Sequence, residues 1–316
     1  MNKPQTNKSI ILLFGGSGMV GRNIVYHQNY KDYIFYNPTT KDCDLTNQHE
    51  TLNYIRFVNP DLIIHAAGKV GGIQANINSP FDFLYLNTII GYNVVSSAKT
   101  IGIKKLLNLG SSCMYPKFAK NPLKETSLMS GICEPTNEGY AVAKLSVAKL
   151  CEYVSKKNSD LKYKTLIPCN LYGKYDKFDS INAHLIPAII QKMSFAEKNQ
   201  LDIDIWGDGT ARREFMYAED LADFIYFAIK DFDKLPSIMN VGCGYDYSIN
   251  DYYSFVNQLI PFKGKYKFDL AKPTGQQQKL IDTSEQIKLG WYPKTQMQDG
   301  ILKTYDYYIN KVLKNE

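Results

Sequence analysis

Short apolar runs alternate with helix-length amphipathic stretches through the first half of the chain. Residues 10–14, 33–36, 62–66, 105–109 and 165–169 are brief and almost wholly apolar, the pattern of strands covered on both faces. Between several of them lie helix-length segments at 19–27, 50–57, 83–100 and 141–156. Strands alternating with helices predict βαβ units, hence an α/β fold with a parallel sheet between two helical layers. The second half is less regular: a helix-like stretch at 184–198, a strand ending at Trp206, a helix near 219–230, and a Tyr/Lys-rich tail. That change of texture predicts a smaller C-terminal lobe built from 171–213 and 243–316. The sheet domain then spans 1–170 and is completed by about 214–242.

The segment Phe14-Gly15-Gly16-Ser17-Gly18-Met19-Val20-Gly21 leaves the first strand and opens the first helix. Gly15, Gly18 and Gly21 have the spacing GxxGxxG. Glycine permits a tight turn, close approach of a pyrophosphate to the backbone, and close packing of helix on strand. The helix N-terminus adds free N–H groups and a partial positive charge. In this context the loop predicts dinucleotide binding, with Ser17, Met19 and Val20 beside the phosphates. The second strand ends Tyr36-Asn37-Pro38-Thr39-Thr40-Lys41, without the acid that grips a free ribose 2′-hydroxyl. NADP(H) is therefore expected over NAD, with Asn37, Thr39, Thr40 and Lys41 around its 2′-phosphate. Asp44 and Leu45 are expected at the adenine ring, and Ala66 and Ala67, in His65-Ala66-Ala67-Gly68, under the cofactor.

Composition narrows the class. The 316 residues are 44% hydrophobic and 22% charged, as in ordinary globular proteins. A net charge of +6, from 37 basic and 31 acidic residues scattered along the chain, is too weak and mixed for a nucleic-acid binder. It still favours an anionic ligand such as a nucleotide. The six cysteines form no CxxC pair and the four histidines are far apart, so no zinc spacing exists. Reduced thiols and a cytoplasmic location are expected. The apolar run at 10–14 is too short for a signal-peptide core or a membrane span.

Tyr140 and Lys144 stand four apart on a predicted helix, on one face. An ammonium beside a phenol favours the phenolate, so a lowered tyrosine pKa is expected. YxxxK alone is common in a chain with 24 tyrosines. Ser111 lifts it, because it lies at the C-terminal end of the fourth strand, where doubly wound sheets place ligands. Glycine loop, strand-end serine and YxxxK together point to a reductase.

With GGSGMVG, HAAGKVGGI, LGSSCMYP, EPTNEGYAVAK, NLYG, INAHLIP and WGDGTARREF in order, the chain resembles the extended short-chain dehydrogenases/reductases of the nucleotide-sugar class. Within them it is most similar to the GDP-L-fucose synthase family, over nearly the whole chain. The resemblance implies a Rossmann-type doubly wound parallel sheet, NADPH as reductant, a homodimer, and a GDP-linked 4-keto-6-deoxy sugar as substrate. It implies reduction at C4 by Ser111, Tyr140 and Lys144, with Lys144 also on the nicotinamide ribose. It further implies epimerisation at C3 and C5, with Cys113 as base and His184 as acid; a thiolate suits the first role and an imidazole the second. Val70, Ser112, Asn170, Lys192, Trp206, Arg213 and Lys279 are implied as substrate contacts.

Several positions depart from the family pattern. Lys174-Tyr175-Asp176-Lys177 replaces a Pro-His pair and a later Asn, Lys192 replaces an arginine, and Thr274 replaces an aspartate. Lysine keeps the charge at 192 but loses the bidentate fork. An alternative reading is a C4-reductase without epimerisation, acting on a GDP-4-keto-6-deoxyheptose for surface-polysaccharide synthesis. A remoter one is a non-catalytic NADP-binding protein on the same fold.

Overall fold

The computed structural model describes residues 8–179 and 183–315, and in it the five apolar runs form one parallel sheet. The strands are β1 (Ile10–Phe14), β2 (Ile34–Tyr36), β3 (Leu62–His65), β4 (Lys105–Leu109) and β5 (Lys162–Pro168). The helices between them are α1 (Met19–Val25), α2 (Gln48–Val58), α3 (Ile73–Asn78), α4 (Pro80–Ile101) and α5 (Glu138–Lys157). All of β1 and β3 is buried, which explains their continuous apolar character. Neighbours along β1 still point opposite ways: Ile11 and Leu13 join Ile64, Leu107 and Phe224 in one core, while Leu12 and Phe14 join Ile63, Val94 and Val147 in the other. β5 starts three residues before the apolar run that predicts it, because Lys164 snorkels and donates from Nζ to the carbonyl of Phe232 at 2.7 Å.

The second half adds β6 (Asn170–Tyr172), α6 (Leu185–Asn199), β7 (Ile203–Trp206), β8 (Arg212–Arg213), β9 (Phe215–Tyr217), α7 (Ala218–Lys230) and β10 (Ile238–Val241). It continues with β11 (Tyr247–Ser248), α8 (Ile249–Asn257), β12 (Tyr266–Asp269), β13 (Gln278–Lys279), α9 (Ser284–Lys288) and α10 (Met297–Tyr307). β10 joins the main sheet, whose order is β2-β1-β3-β4-β5-β10, parallel throughout. The order reverses at β1, with β2 on one side and β3 on the other. This opens a crevice beyond their carboxyl ends, the ligand site of doubly wound sheets. The remaining strands form two- and three-stranded sheets, too short to show any period in sequence. A third apolar core, with Tyr172, Ile186, Ile190, Ile205, Tyr217, Tyr252 and Ile301, holds these elements together.

Two close helix contacts set the geometry over β4. A Cβ on Gly91 of α4 would lie 2.3 Å from a methyl of Val147 on α5, and one on Gly139 would lie 2.6 Å from the Pro80 carbonyl. The lack of side chains there lets α4 and α5 approach, bringing the first turns of α5 above the end of β4.

Candidate active site

One cavity of about 1550 Å³ opens above the carboxyl ends of β1, β3, β4 and β5 and extends to β7, β8 and β13. Its first end is built from backbone. Gly15 has φ +89°, and a Cβ there would lie 2.6 Å from the Ala66 carbonyl carbon and the Ala67 nitrogen. A Cβ on Gly21 would lie 2.1 Å from the Gly15 carbonyl oxygen. Loop, helix and β3 exit therefore touch main chain to main chain, and the space above them fits a dinucleotide pyrophosphate. Ser17, Gly18, Met19 and Val20 line it, with Ala66 and Ala67 opposite. Thr40, Asp44 and Leu45 line the same end, whereas Lys41 is exposed and outside the lining. The turn after β2 also holds an acid beyond its first residues. The Asp42 carboxylate accepts from the Thr39 amide at 2.8 Å and the Thr39 hydroxyl at 2.7 Å.

At the middle of the cavity Ser111 follows β4, and its Oγ accepts from the Cys113 amide at 3.2 Å. Ser111 also hydrogen-bonds Tyr140, whose ring packs edge-on to Phe83. Lys144 is buried one helical turn below, its Nζ donating to the Leu109 carbonyl at 2.9 Å and lying 5.9 Å from the Tyr140 ring centre. Burial pushes the Tyr140 phenol above its ordinary range, with the nearby Cys113 sulfur adding to the effect and the Ser111 hydrogen bond opposing it. Burial pushes Lys144 down to about 8. The expectation of a lowered tyrosine pKa is thus corrected: burial dominates while the Lys144 ammonium is directed at the Leu109 carbonyl, and Tyr140 stands as a neutral phenol, a proton donor.

Cys113 occupies the next position along the wall. Its Sγ accepts from Asn137 Nδ2 at 3.1 Å and lies 3.7 Å from the Lys279 ammonium. An amide N–H and a cation are the partners a thiolate uses. His184 lines the same cavity, its Nδ1 3.2 Å from a carboxylate oxygen of Asp176. Burial works against charge on this imidazole, but the charge and hydrogen bond of Asp176 outweigh it and hold the pKa above 6.5.

The far end carries cations. Arg213 donates to the carbonyls of Thr274 and Arg212 at 2.7 Å each, and among the described residues no carboxylate pairs with it. Its neighbour Arg212, by contrast, is bound by Asp246 at 2.7 Å. Burial lowers the Arg213 pKa, as expected of a cation lacking its anion. Lys192 donates to the Asp204 carbonyl at 2.6 Å, and Lys272 lies 5.6 Å over the Trp206 ring. Val70, Asn170, Lys192, Trp206, Arg213 and Lys279 all line the cavity, while Ser112 is buried and off the lining. No group of three or more His, Cys, Asp or Glu among the described residues could hold a metal ion.

Sequence reasoning misses Asn137, which donates to Cys113, and the role of Asp176 against His184. It also misses Glu134, a buried acid on the cavity wall whose charge faces Arg213. The signal for Asn137 is its place just before the helix that bears Tyr140.

Residues 11–242 match the pattern of the NAD dependent epimerase/dehydratase family. The chain is 51% identical to a GDP-L-colitose synthase of Yersinia pseudotuberculosis, over 95% of this chain and 98% of that protein. It is 46% identical to a GDP-L-fucose synthase of Azorhizobium caulinodans, over 95% and 96% respectively. A GDP-mannoheptose C4 reductase of Campylobacter jejuni, solved with NADP bound, superposes with a TM-score of 0.86 at 28% identity, over 97% of this chain and 100% of that one. With the glycine cradle at the sheet crevice and the Ser–Tyr–Lys group above β4, the chain belongs to the NAD dependent epimerase/dehydratase family.

Proposed function

We propose that this enzyme uses NADPH to reduce the C4 ketone of a GDP-linked 4-keto-6-deoxy sugar, after epimerisation at C3 and C5. The observation that carries the reading is that one cavity joins the proton donor Tyr140, the thiol of Cys113, the imidazole of His184 and the guanidinium of Arg213, which no carboxylate among the described residues pairs. The division of labour is a sheet domain of 1–170 with 214–242 for the dinucleotide, and 171–213 with 243–316 for the sugar nucleotide. NADPH, when bound over the glycine loop, supplies the hydride.

The protein's own groups do the rest. A C4 ketone acidifies the protons on C3 and C5, and Cys113 removes them. The hydroxyls of Ser111 and Tyr140 hold the oxygen as negative charge builds on it. His184 returns a proton to the opposite face, which inverts the centre. In the reduction, Tyr140 gives its phenolic proton to the C4 oxygen, and its raised pKa keeps that proton in place until charge develops there. Arg213 and Lys279 bind the anionic sugar nucleotide.

Incubation with GDP-4-keto-6-deoxymannose and NADPH in D2O tests the reading. The expected product carries solvent deuterium at C3 and C5; no NADPH consumption would sink the assignment. A second reading, reduction without epimerisation of a GDP-linked heptose, is favoured by the likeness to the heptose reductase. It predicts NADPH oxidation with the ketoheptose and no deuterium at either carbon.

The working form we assign is a cytoplasmic homodimer serving polysaccharide synthesis. Its six thiols are free. The outer faces of α4 and α5 expose Phe81, Leu84, Tyr85, Tyr92, Val142 and Tyr153, an apolar surface suited to a second copy. Sedimentation at micromolar concentration should give twice the mass of the 36.0 kDa chain.

A further inference from the structure

We propose that Asp176 is the positioning residue of His184, fixing which ring nitrogen faces the sugar and sustaining the imidazolium as the proton donor. The inference rests on the reading above, in which His184 returns the proton during epimerisation. The two residues line the same cavity, but the His184 side chain is 33% exposed and that of Asp176 only 3%, so the ring is the group open to a ligand and the carboxylate is shielded. Oδ1 of Asp176 lies 3.2 Å from Nδ1 and also accepts from the Lys177 amide at 2.8 Å. With Nδ1–H directed at Asp176, Nε2 is the nitrogen left to the sugar.

The turn that delivers Asp176 is strained. Gly173 has φ +147° and Tyr175 has φ +70°, a left-handed conformation rare for a bulky side chain. Three contacts hold Tyr175 there: a stack on Tyr26 at 5.4 Å, an edge contact with Tyr307 at 5.3 Å, and the Arg22 guanidinium at 5.5 Å. Such strain persists where the surroundings over-determine it, commonly at functional sites. Its product here is the placement of one carboxylate.

The charges around His184 show why that carboxylate matters. Burial, Lys177 and Lys279 all oppose a protonated ring, and among the described residues Asp176 is the group that favours it. Lys279 lies 3.7 Å from the Cys113 sulfur on the wall of the same cavity, so its charge is part of the site. Without Asp176 the imidazolium would face two lysines in a half-closed cavity, and the ring would give up its proton at lower pH.

The test uses full-length protein with labelled histidine. NMR titration assigns His184 among the four histidines by comparison with His184→Gln. Wild type should show the Nδ1–H tautomer when neutral and titrate above 6.5. Asp176→Asn keeps an acceptor oxygen but removes the charge, so the tautomer should persist while the titration falls by about one unit. Asp176→Ala should lose both. In activity, Asp176→Asn should lower deuterium wash-in at C3 and C5 about tenfold at pH 8, with the alkaline limb of that profile moved to lower pH. Oxidation of GDP-L-fucose by NADP+, which needs Tyr140 but not His184, should keep its pH profile. An Nε2–H tautomer in wild type, or a His184 titration unchanged in Asp176→Asn, would overturn the proposal. Wild type that washes in no deuterium would instead refute the epimerase reading, and the titration would still decide on Asp176.

Discussion

The two ends of the cavity are made of different material. At the cofactor end, residues close together in sequence press backbone on backbone, and Gly15, Gly21 and Ala66 meet within van der Waals range. At the other end, which we propose takes the substrate, Cys113, Asn137, His184, Arg213 and Lys279 arrive from separate elements and present side chains. A main-chain cradle has no slack, so one added atom disables it. A side-chain site loses one contact at a time and can be retuned for another sugar while the fold stands. The relatives agree: one architecture carries proteins named for colitose, fucose and a heptose.

The largest test of this contrast is Gly21→Ala. Its methyl would sit 2.1 Å from the Gly15 oxygen and 2.6 Å from the Gly16 Cα, main-chain atoms that cannot swing aside. The expected outcome is loss of NADPH binding by fluorescence titration and a destabilisation of roughly 3 kcal/mol. A variant that binds normally would show that the cradle has the slack denied to it here. Next comes Tyr140→Phe, which removes one oxygen from the middle of the cavity. Reduction should fall by about a thousandfold, within the span of general acid catalysis, while NADPH binding is retained. Wild-type reduction should also decline as pH rises through about 8, where Lys144 loses its charge, and not through the tyrosine, which burial keeps protonated.

The contrast explains what could be read from the chain. The cofactor end follows from local signals: an apolar run, three glycines at fixed spacing, then a helix. Ser111 and YxxxK are legible because strand end and helix face each set a direction. Asn137 and Asp176 are not, since their partners lie 24 and 8 residues away and the meeting depends on tertiary placement. Asp42 is missed for a local reason, as its carboxylate folds back on Thr39 from beyond the expected position. The tyrosine shift is misjudged because burial, which sequence does not price, sets its direction. β10, far along the chain, is short and bears Asn240 at its centre, bonded from Tyr115 at 2.7 Å.

A smaller effect is expected at Arg213. Arg213→Lys keeps the positive charge but cannot hold both carbonyls of Thr274 and Arg212 while facing a diphosphate. Affinity for the GDP-sugar should drop about tenfold, one lost charge-assisted contact, with NADPH binding unchanged by calorimetry. A parallel loss of NADPH affinity would mean that the two ends are mechanically one unit.

The smallest effect concerns the joint between the ends. Glu214 follows Arg213, is fully buried, and accepts from the amides of Cys243 and Gly244 beyond β10 and of Ile281 beyond β13, at 2.6, 2.9 and 2.9 Å. Burial outweighs these three donors and lifts its pKa to about 7 from an ordinary 4.5. Between those values the folded protein keeps a proton that the unfolded chain has released. Stability from this group is therefore present below about 4.5 and is lost as pH rises to about 7, by at most about 1.4 kcal/mol per pH unit. Glu214→Gln removes the ionisation and mimics the protonated acid. Its melting temperature relative to wild type should consequently rise as pH goes from 5 to 7, even where it is lower in absolute terms because the amide N–H group opposes one of the three donors. A difference that stays flat with pH would show that the carboxylate is ionised throughout, with the three amides holding the main sheet and the smaller strands beside it together by charge.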